Sequence, residues 1–275
     1  TYIWYNRVMK DLIEKASKIK IIFFDIDDTL RDLKTGYIPE SLPFIFETLR
    51  QKGIKTGIAT GRNYYNVLPE IRNLNPDFFV TINGALVQNQ AQEIIYKNPL
   101  DKKTVDEIVS WLKSEGAEYL FVGNENLKAS KWEGLTESVI PADYGVLEVK
   151  PDYYKEHDVF QLLTISEHDQ RLRLPQRLAQ KVRMVRWHPN SSDIVPVLGS
   201  KANGCMKVLE YLGLSPENMM NFGDELNDKE LFDLAGLSVA MKISHPLILE
   251  KADYVTDTVQ KDGILKALRT LQLID

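Results

Sequence analysis

The sequence contains one cysteine, Cys205, and only four histidines among its 275 residues. A lone thiol excludes an intramolecular disulfide framework and any cysteine-rich zinc site. The histidines show no pairing typical of a metal site, so a zinc mechanism has little support. Because chains without disulfides suit a reducing compartment, we expect a cytoplasmic protein.

The sequence also lacks an apolar run long enough to cross a bilayer, which argues against a membrane partner. The N-terminal segment TYIWYNRVMKDLIEKASKIK has no uninterrupted apolar centre, so it predicts an amphipathic helix instead of a signal peptide. The absence of an initial Met suggests that the start of the chain has been processed or trimmed.

An excess of basic residues is missing as well, because the formal net charge is −5. This charge argues against a nucleic-acid partner. An anionic substrate would therefore need local positive charge, from a metal or from a few placed Lys and Arg side chains. The 44% of hydrophobic residues allows a large core, and a monomer is compatible with the sequence.

Strand and helix patterns alternate in the first and last thirds of the chain. KIIFFDID (residues 20–27) is a continuous apolar run, typical of a strand buried on both faces of a parallel sheet. Strands are also predicted at IKTGIATGR, DFFVTING, NMMNFGD, LSVAM and KADYVTD, and helices at SLPFIFETLRQKG, NYYNVLPEIRNL, KANGCMKVLEYLG, NDKELFDLAG and GILKALRTLQLI. This order predicts a Rossmann-like α/β core domain, with a parallel sheet and helices on both faces.

The pattern changes between about residues 86 and 196. Short strands, of which QEIIYKNPL is the first, surround two helices, TVDEIVSWLKSEG and HDQRLRLPQRLAQK, the second broken or kinked at Pro175. Strands in pairs around isolated helices predict an antiparallel α+β unit. We therefore expect a core domain of residues 1–85 and 197–275, with a smaller α+β domain of residues 86–196 inserted between its halves.

Three acidic residues follow the first predicted strand, where ligands of parallel α/β sheets bind. Asp25 and Asp27 are two residues apart, so an extended chain would direct both side chains to the same side. Together with Asp28 they form a cluster that is costly unless a cation or a proton compensates it. The alternative interpretation is an acidic turn, because Asp is common in turns.

Two further segments offer groups that can bind an anion. GIATGR ends the second strand with the hydroxyl of Thr60, the backbone amide of Gly61 and the guanidinium of Arg62, just before a helix N-terminus that favours phosphate. In SKANG, Lys201 precedes a helix, where its charge opposes the macrodipole unless an anion faces it. Each segment alone is weak evidence, because packing, turn formation and solvation also explain these residue types.

The segment NFGDELND ends a third apolar strand in carboxylates. Helix capping by Asn227 or Asp228 explains one residue but leaves Asp224 and Glu225 without an explanation. Combined with the acids after the first strand, these carboxylates form a hard-oxygen site suited to Mg²⁺. With a hydroxyl, an amide and a lysine nearby, the set favours phosphoryl transfer, in which a carboxylate is a recognised nucleophile.

In order and spacing, the motifs DIDDTL, GIATGR, SKANG and GDELND resemble those of the haloacid dehalogenase (HAD) superfamily of phosphatases. TINGALV (residues 81–87) and ADYVTD followed by DGILKAL are similar, more narrowly, to the Cof-type sugar-phosphatase branch. That branch carries an α+β cap of type IIB between the second and third motifs. The resemblance covers about residues 20 to 270 and implies a phosphoric monoester hydrolase that uses Mg²⁺.

The resemblance also implies roles for the matching residues. Asp25 would be the nucleophile, and Asp27 the general acid for the leaving alcohol and then the base for the hydrolytic water. The carboxylates of Asp25 and Asp224 and the backbone carbonyl of Asp27 would hold Mg²⁺, with Asp228 near the metal. Phosphate and substrate contacts would come from the backbone amide of Ile26, from Thr60, Gly61, Arg62, Lys201 and Asn227, and from Asn83 and Gly84 beneath the substrate.

The sequence departs from this branch in two places. Asp28 stands where the family often has Gly, and Lys242-Ile243-Ser244 stands where the branch usually has Gly-Asn-Ala after LSVAM. The second change suggests a different loop beside the site, with Lys242 and His245 as candidates for specificity. Candidates in the cap are Lys131, Trp132, Arg183, Arg186, Trp187 and His188, although an alternating strand such as KVRMVRWHP sends every second side chain to solvent.

The sequence therefore favours a Mg²⁺-dependent phosphatase that hydrolyses a small phosphorylated metabolite, such as a sugar phosphate, through an aspartyl-phosphate intermediate. A phosphomutase or phosphotransferase on the same fold, which returns the phosphoryl group to an alcohol, is one alternative. A non-catalytic binding or regulatory protein with a vestigial site is another. The complete set of Asp25, Asp27, Thr60, Lys201 and Asp224 argues against that last interpretation.

Overall fold

The structure, a computed structural model, describes residues 2–275, with side chains from Arg7 onward. Over this range the strands are β1 (Ile21–Phe24), β2 (Lys55–Ala59), β3 (Phe78–Thr81), β4 (Leu86–Asn89), β5 (Ile94–Lys97), β6 (Glu118–Val122), β7 (Lys128–Ala129), β8 (Glu148–Val149), β9 (Gln161–Ile165), β10 (Val182–His188), β11 (Ser191–Pro196), β12 (Met219–Gly223), β13 (Leu237–Ala240) and β14 (Tyr254–Val255). The α-helices are α1 (Tyr2–Ser17), α2 (Leu42–Gln51), α3 (Pro69–Arg72), α4 (Lys102–Ser114), α5 (Leu135–Val139), α6 (Gln176–Ala179), α7 (Lys201–Leu212), α8 (Lys229–Leu234), α9 (Pro246–Lys251) and α10 (Gly263–Thr270). In the part of the chain described, no helix is both long enough and apolar enough to span a membrane.

Contacts between residues divide the chain into two compact units. The first unit comprises Thr1–Gly61, Leu68–Tyr96 and Ser200–Asp275, and the second comprises Arg62–Val67 and Lys97–Gly199. Two segments from opposite ends of the chain therefore build one unit, as the predicted insertion requires.

The first unit is built on a sheet with the strand order β14-β13-β12-β1-β2-β3-β4-β5. The strands from β14 to β3 pair in parallel, and β4 pairs antiparallel to β3. At the centre, all four residues of β1 are fully buried, which explains the continuous apolar run in the sequence. The prediction of a parallel α/β sheet is confirmed, with an antiparallel addition at one edge.

Alternating side chains of β1 pack against helices on opposite faces of this sheet. Phe23 belongs to a cluster with Cys205 and Leu209 of α7, whereas the ring of Phe24 lies 5.1 Å from that of Phe46 in α2. Because successive side chains of a strand point to opposite faces, α2 and α7 cover different sides. Helices therefore cover both faces, as predicted.

The predicted helix NYYNVLPEIRNL is wrong as a single element. The structure has a 3₁₀ turn over Tyr64–Asn66, then extended backbone, and α3 covers only Pro69–Arg72. Leu68 has φ −59° and ψ 143°, because a residue before proline avoids the α conformation. The second predicted helix of the inserted segment is broken at Pro175, as expected: a 3₁₀ turn covers Asp169–Arg171, and α6 covers only Gln176–Ala179.

The second unit is an α+β layer whose sheet has the strand order β10-β11-β9-β6-β7-β8. Its pairs are antiparallel, except for β7 with β8. Helix α4 covers one face, where Ile108 and Leu112 pack with Phe121, Leu162 and Ile194.

The predicted boundary at residue 86 is wrong by about ten residues. Residues 86–96 belong to the first unit, because β4 forms a hairpin with β3 in which Thr81 lies opposite Leu86 and Phe78 opposite Asn89. The predicted strand QEIIYKNPL, observed as β5, extends the same sheet. At the other end, the second unit continues to Gly199 instead of ending at residue 196.

Candidate active site

Asp25 follows β1 directly, and its carboxylate is held on both oxygens. Oδ1 accepts a hydrogen bond from the Ile26 N–H at 2.7 Å, and Oδ2 accepts one from Nζ of Lys201 at 2.6 Å. The Asp25 N–H donates to the Phe222 carbonyl of the neighbouring strand β12 at 3.1 Å. With 7% of its surface exposed, Asp25 is a buried carboxylate of fixed orientation.

Lys201 is the first residue of α7 and is completely buried. Its Nζ also donates to Oδ1 of Asp228 at 2.7 Å, so that one ammonium joins two carboxylates. Burial lowers the pKa of Lys201, but the charges of Asp228 and Asp25 raise it, and the net shift is upward. The lysine at this helix N-terminus thus remains charged and faces anions, the arrangement that its sequence position suggested.

Asp224 and Asp228 reach the same place from the end of β12. Oδ1 of Asp224 accepts a hydrogen bond from the Thr29 hydroxyl at 2.8 Å. Oδ2 of Asp228 accepts the N–H of Asp224 at 3.1 Å, so both of its oxygens are engaged within the protein. Gly223 makes room for this contact, since a Cβ at this position would lie 2.4 Å from Oδ2 of Asp228.

This cluster carries more negative than positive charge. One carboxylate oxygen from each of Asp25, Asp224 and Asp228 lies within 4.8 Å of the others, against the single ammonium of Lys201. Burial raises the pKa of Asp25 to about 7 in spite of Lys201, and burial together with the charge of Asp25 raises the pKa of Asp224 to about 9. An all-oxygen donor set with excess negative charge fits a hard divalent cation such as Mg²⁺.

Asp27 lies in a tight turn beyond Asp25. The N–H groups of Leu30 and Arg31 both donate to the Ile26 carbonyl, at 2.8 and 2.9 Å. This turn brings Nη1 of Arg31 to 3.5 Å from Oδ1 of Asp27, whose side chain is 28% exposed. Asp27 is therefore more accessible than Asp25 and lies beside a positive charge.

Asp28, in contrast, has a turn conformation. Its φ of 56° lies in the left-handed region, which Gly, Asn and Asp adopt most readily. Its N–H donates to the Arg31 carbonyl at 2.6 Å, and its Oδ1 accepts the N–H of Leu33 at 2.8 Å. The interpretation as an acidic turn thus fits Asp28, and the positive φ explains why Gly is common there in the family.

The motif after β2 is linked through backbone and amide contacts to the motif after β3. The carbonyl of buried Thr60 accepts the N–H of Asn83 at 3.0 Å. A Cβ at Gly61 would lie 3.3 Å from Oδ1 of Asn83, and the same oxygen accepts a hydrogen bond from Nδ2 of Asn227 at 3.1 Å. Predicted site residues from three separate motifs therefore adjoin one another.

The turn Ile82-Asn83-Gly84 has positive φ at all three residues, 51°, 50° and 89°. This conformation is strained for the β-branched Ile82, and such strain is concentrated at functional sites. Gly84 is pressed against α7, because a Cβ there would lie 2.0 Å from the carbonyl oxygen of Ser200. Gly84 thus serves close packing beside Lys201.

Arg62 is placed elsewhere than its neighbours Thr60 and Gly61. Its Nη1 donates to the Asn66 carbonyl and to Oδ2 of Asp143, both at 3.1 Å. These partners belong to the second unit, as does Arg62 itself. The structure thus gives Arg62 a contact within the second unit, and its expected role toward phosphate stays a prediction.

The candidate cap residues have varied surroundings. Arg186 binds buried Asp169 through Nε at 3.1 Å, and Lys131 forms an exposed ion pair with Glu133, so both have protein partners. Nη2 of Arg183 donates to the Gly199 carbonyl at 3.4 Å, and Nδ1 of His188 accepts the Asn190 N–H. Of the two tryptophans, Trp132 is half-buried and Trp187 is 43% exposed.

The loop after β13 does not require the glycine of the family pattern. Neither Lys242 nor Ile243 has a positive φ, and both are exposed. Ser244 is buried and its hydroxyl donates to the Met241 carbonyl at 2.6 Å. The His245 N–H donates to the Asp224 carbonyl at 2.8 Å, so a backbone hydrogen bond joins the loop to an acidic residue of the cluster.

Sequence reasoning missed the role of Thr29 and of Ser200. Thr29 is completely buried and orients Asp224, while the Ser200 side chain accepts the Asn203 N–H at 3.2 Å and so caps the helix that carries Lys201. The N-cap pattern of a serine before a helix could have identified the role of Ser200. The contact of Thr29 is formed across 195 residues of sequence, so no local signal reveals it.

The sequence model of the haloacid dehalogenase-like hydrolases matches residues 22–268. The chain belongs to this family. The HAD superfamily predicted from the motifs is thus confirmed.

Relatives and solved structures agree with this assignment. A Streptococcus pyogenes protein, whose provisional name combines a phosphatase with a peptidyl-prolyl cis-trans isomerase, is 48% identical over 95% of the chain, which spans 56% of that relative. The 5-amino-6-(5-phospho-D-ribitylamino)uracil phosphatase YcsE of Bacillus subtilis is 28% identical over 91% of the chain and 95% of its own length.

Among solved structures, a protein of Geobacillus kaustophilus matches with a TM-score of 0.84 and 34% identity, over 93% of this chain and all of that one. The HAD subclass IIB sugar phosphatase BT4131 matches with a TM-score of 0.77 and 27% identity, with the same coverage. The predicted fold class and the predicted enzyme class, a HAD-type phosphatase, are confirmed by these comparisons.

Proposed function

We propose that this phosphatase is Mg²⁺-dependent and hydrolyses a small phosphorylated metabolite through an aspartyl-phosphate intermediate. The observation that carries the proposal is the buried cluster of Asp25, Lys201, Asp224 and Asp228, which holds a nucleophile, a fixed cation and surplus negative charge at one point. Hydrolysis by such a site requires neutralisation of the phosphoryl charge and an oriented nucleophile. The buried Cys205 is compatible with the expected cytoplasmic setting.

Asp25 acts as the nucleophile in this proposal. An oxygen of its carboxylate forms a bond to phosphorus while the bond from phosphorus to the leaving alcohol oxygen breaks. Asp27, which is accessible, gives a proton to that oxygen. In the second half-reaction Asp27 takes a proton from water, whose oxygen attacks phosphorus and releases the Asp25 carboxylate.

Lys201 and the neighbouring amides keep the phosphoryl group in place. The ammonium of Lys201 neutralises charge on phosphoryl oxygens, and Thr60, the Gly61 amide and Asn227 add hydrogen-bond donors. Asp25, Asp224 and the Asp27 carbonyl would hold Mg²⁺. Asp228 orients Lys201 by accepting a hydrogen bond from its Nζ. When bound, Mg²⁺ would supply positive charge next to the phosphoryl oxygens.

The direct test replaces Asp25 by Asn, which preserves its size and removes the nucleophile. We expect hydrolysis of p-nitrophenyl phosphate in Mg²⁺ to fall by about 10³-fold or more, as for other catalytic nucleophiles. The control is Asp11→Asn, on an exposed carboxylate of α1, which should retain full activity. Wild-type turnover by Asp25→Asn would refute the nucleophile assignment.

The substrate class is the finer part of the proposal. A sugar phosphatase and a phosphatase that acts on a phosphoribityl compound are both among the similar proteins, so a small phosphorylated polyol or sugar is the class we favour. A phosphate-release screen over sugar phosphates, nucleotides and pyridoxal phosphate tests it. Isomerised sugar phosphate in place of free phosphate would indicate the phosphomutase alternative.

A further inference from the structure

The guanidinium of Arg31 lies beside the carboxylate that is proposed as the acid and base of the reaction. Its Nη1 is 3.5 Å from Oδ1 of Asp27, within ion-pair distance. The side chain of Arg31 is 14% exposed, whereas that of Asp27 is 28% exposed. The carboxylate is therefore the more accessible partner, and the guanidinium is the more buried one.

Backbone hydrogen bonds hold Arg31 next to Asp27. The Arg31 N–H donates to the Ile26 carbonyl at 2.9 Å, and the Arg31 carbonyl accepts the Asp28 N–H at 2.6 Å. These two bonds join Arg31 to the residues before and after Asp27, so that Asp27 and Arg31 form a parallel β-bridge. The turn thus fixes the distance between the two backbones.

The segment that follows Arg31 is fixed as well. Asp32 is 6% exposed, and its Oδ1 accepts hydrogen bonds from the N–H and the hydroxyl of Thr35, both at 2.6 Å. The Asp32 N–H donates to the Tyr37 carbonyl at 2.9 Å and closes the loop. A Cβ at Gly36 would lie 3.6 Å from Nη2 of Arg31, so the backbone of this loop packs against the guanidinium.

A fixed cation matters for Asp27 because the proposed function gives its carboxylate two tasks. The carboxylate gives a proton to the leaving oxygen and later takes one from water, and both transfers need hydrogen-bond distance. A partly exposed side chain on a turn can adopt several rotamers, and a displacement of about 1 Å can lower a rate by about 10²-fold. At 3.5 Å and in partial contact with water, the ion pair is weak, so it directs the carboxylate without preventing its protonation.

We propose that Arg31 is a positioning residue that directs the carboxylate of Asp27 toward the leaving-group oxygen. A guanidinium that bound the substrate itself would be the more accessible member of the pair, whereas Arg31 is the more buried one. The inference rests on the proposed function, because it requires Asp27 to act on the leaving oxygen.

The test compares two matched esters, phenyl phosphate and p-nitrophenyl phosphate, which differ by one nitro group. p-Nitrophenolate is a stable anion that leaves without a proton, whereas phenolate leaves faster when an acid protonates it. In Arg31→Met, we expect kcat/KM in Mg²⁺ to fall by about tenfold or more for phenyl phosphate and by less than about threefold for p-nitrophenyl phosphate. Because kcat/KM reports the steps up to departure of the leaving group, hydrolysis of the intermediate does not affect the comparison.

Two further variants separate positioning from a structural role. Arg31→Lys keeps the charge and should restore the ratio between the two esters to within about threefold of the wild-type ratio, since a single contact through Nη1 does not need the planar fork of arginine. The matched control is Arg269→Met, on an exposed arginine of α10 in the same unit, which should change neither ester. Circular dichroism confirms that each variant is folded, and Arg31→Gln repeats the comparison if Arg31→Met does not fold.

The outcomes distinguish this inference from the function on which it rests. Equal losses for the two esters, or no change for either, would overturn the role of Arg31 and leave the proposed function intact. Turnover of neither ester by the wild-type protein, or full turnover by Asp25→Asn, would refute the proposed function and the inference with it.

Discussion

At the scale of single residues, the charge balance of the candidate site depends on Lys201. Two hydrogen bonds of 2.6 and 2.7 Å join its ammonium to Asp25 and Asp228, and neither the lysine nor Asp228 has significant exposure to solvent. Buried ion pairs add little stability compared with apolar residues, but removal of one partner leaves an uncompensated buried charge. The lysine is therefore needed for folding as well as for charge neutralisation.

Lys201→Met should abolish phosphatase activity and lower the free energy of unfolding by about 3–5 kcal/mol in the absence of metal. Urea denaturation and p-nitrophenyl phosphate turnover measure the two effects. Lys207→Met, on the same helix but with an exposed lysine paired to Glu210, should change stability by less than about 0.5 kcal/mol. Equal effects of the two changes would contradict the assigned importance of Lys201.

Asp28 provides the contrasting case, since its backbone and not its charge suits the position. Its φ of 56° permits Gly, so Asp28→Gly should retain activity within about twofold, with only the bond to the Leu33 N–H lost. Asp28→Val should lower the free energy of unfolding by about 1–2 kcal/mol, because a β-branched residue is strained there. A large loss of turnover in Asp28→Gly, measured with p-nitrophenyl phosphate, would mean that the carboxylate has a chemical role.

At the scale of elements, the site depends on the close approach of α7 to the turn after β3. Gly84 faces the Ser200 carbonyl, and a Cβ at Gly204 would lie 2.7 Å from the Cα of Gly84. Two glycines thus allow the helix backbone to approach the turn, and this approach sets the position of Lys201 relative to Asp25.

Gly84→Ala should displace the start of α7, because its Cβ would lie 2.0 Å from a backbone oxygen at a φ of 89°. We expect the free energy of unfolding to fall by about 2 kcal/mol or more and kcat to fall with it. Gly213→Ala, which also has a positive φ but nothing within 4 Å of the added Cβ, separates backbone strain from collision. Thermal denaturation and turnover are measured for both variants. Similar losses in the two would argue against the packing explanation.

At the scale of the whole molecule, each unit carries a carboxylate whose pKa is raised by burial. For Asp193 the folded-state pKa is about 7, against an ordinary value of 3.8. Between these values the folded state binds more protons than the unfolded state, so the free energy of unfolding falls as the pH rises from about 4 to about 7. The second unit is therefore less stable at neutral pH than its packing would allow.

Asp193→Asn should remove this dependence, stabilising the second unit by about 1–3 kcal/mol at pH 8 and by almost nothing at pH 4. Tryptophan fluorescence during urea unfolding follows this unit, because Trp111, Trp132 and Trp187 belong to it. The control is Asp152→Asn, on an exposed carboxylate of the same unit that pairs with Lys155 at 3.0 Å. A stability difference that does not change between the two pH values would show that Asp193 is not protonated on folding.

Much of this molecule could be predicted from local patterns. The buried run IIFF, the acids directly after it and the lysine at the start of a predicted helix are features of short segments, so the α/β sheet and most candidate residues followed from them. The prediction of a single helix over NYYNVLPEIRNL was wrong for a local reason as well, because Pro69 keeps Leu68 out of the α conformation.

The sequence by itself determined which residues can do chemistry and that they follow strands, because burial and turn formation depend on neighbouring residues. Only the tertiary structure decided which of them meet. Parallel pairing of β1 with β12 aligns Phe24 with Phe222 and so brings Asp25 and Asp224 together across nearly two hundred residues. Pairing also decided that residues 86–96 complete the first unit, because hydrogen bonds between strands join segments whose local sequences carry no record of their partners.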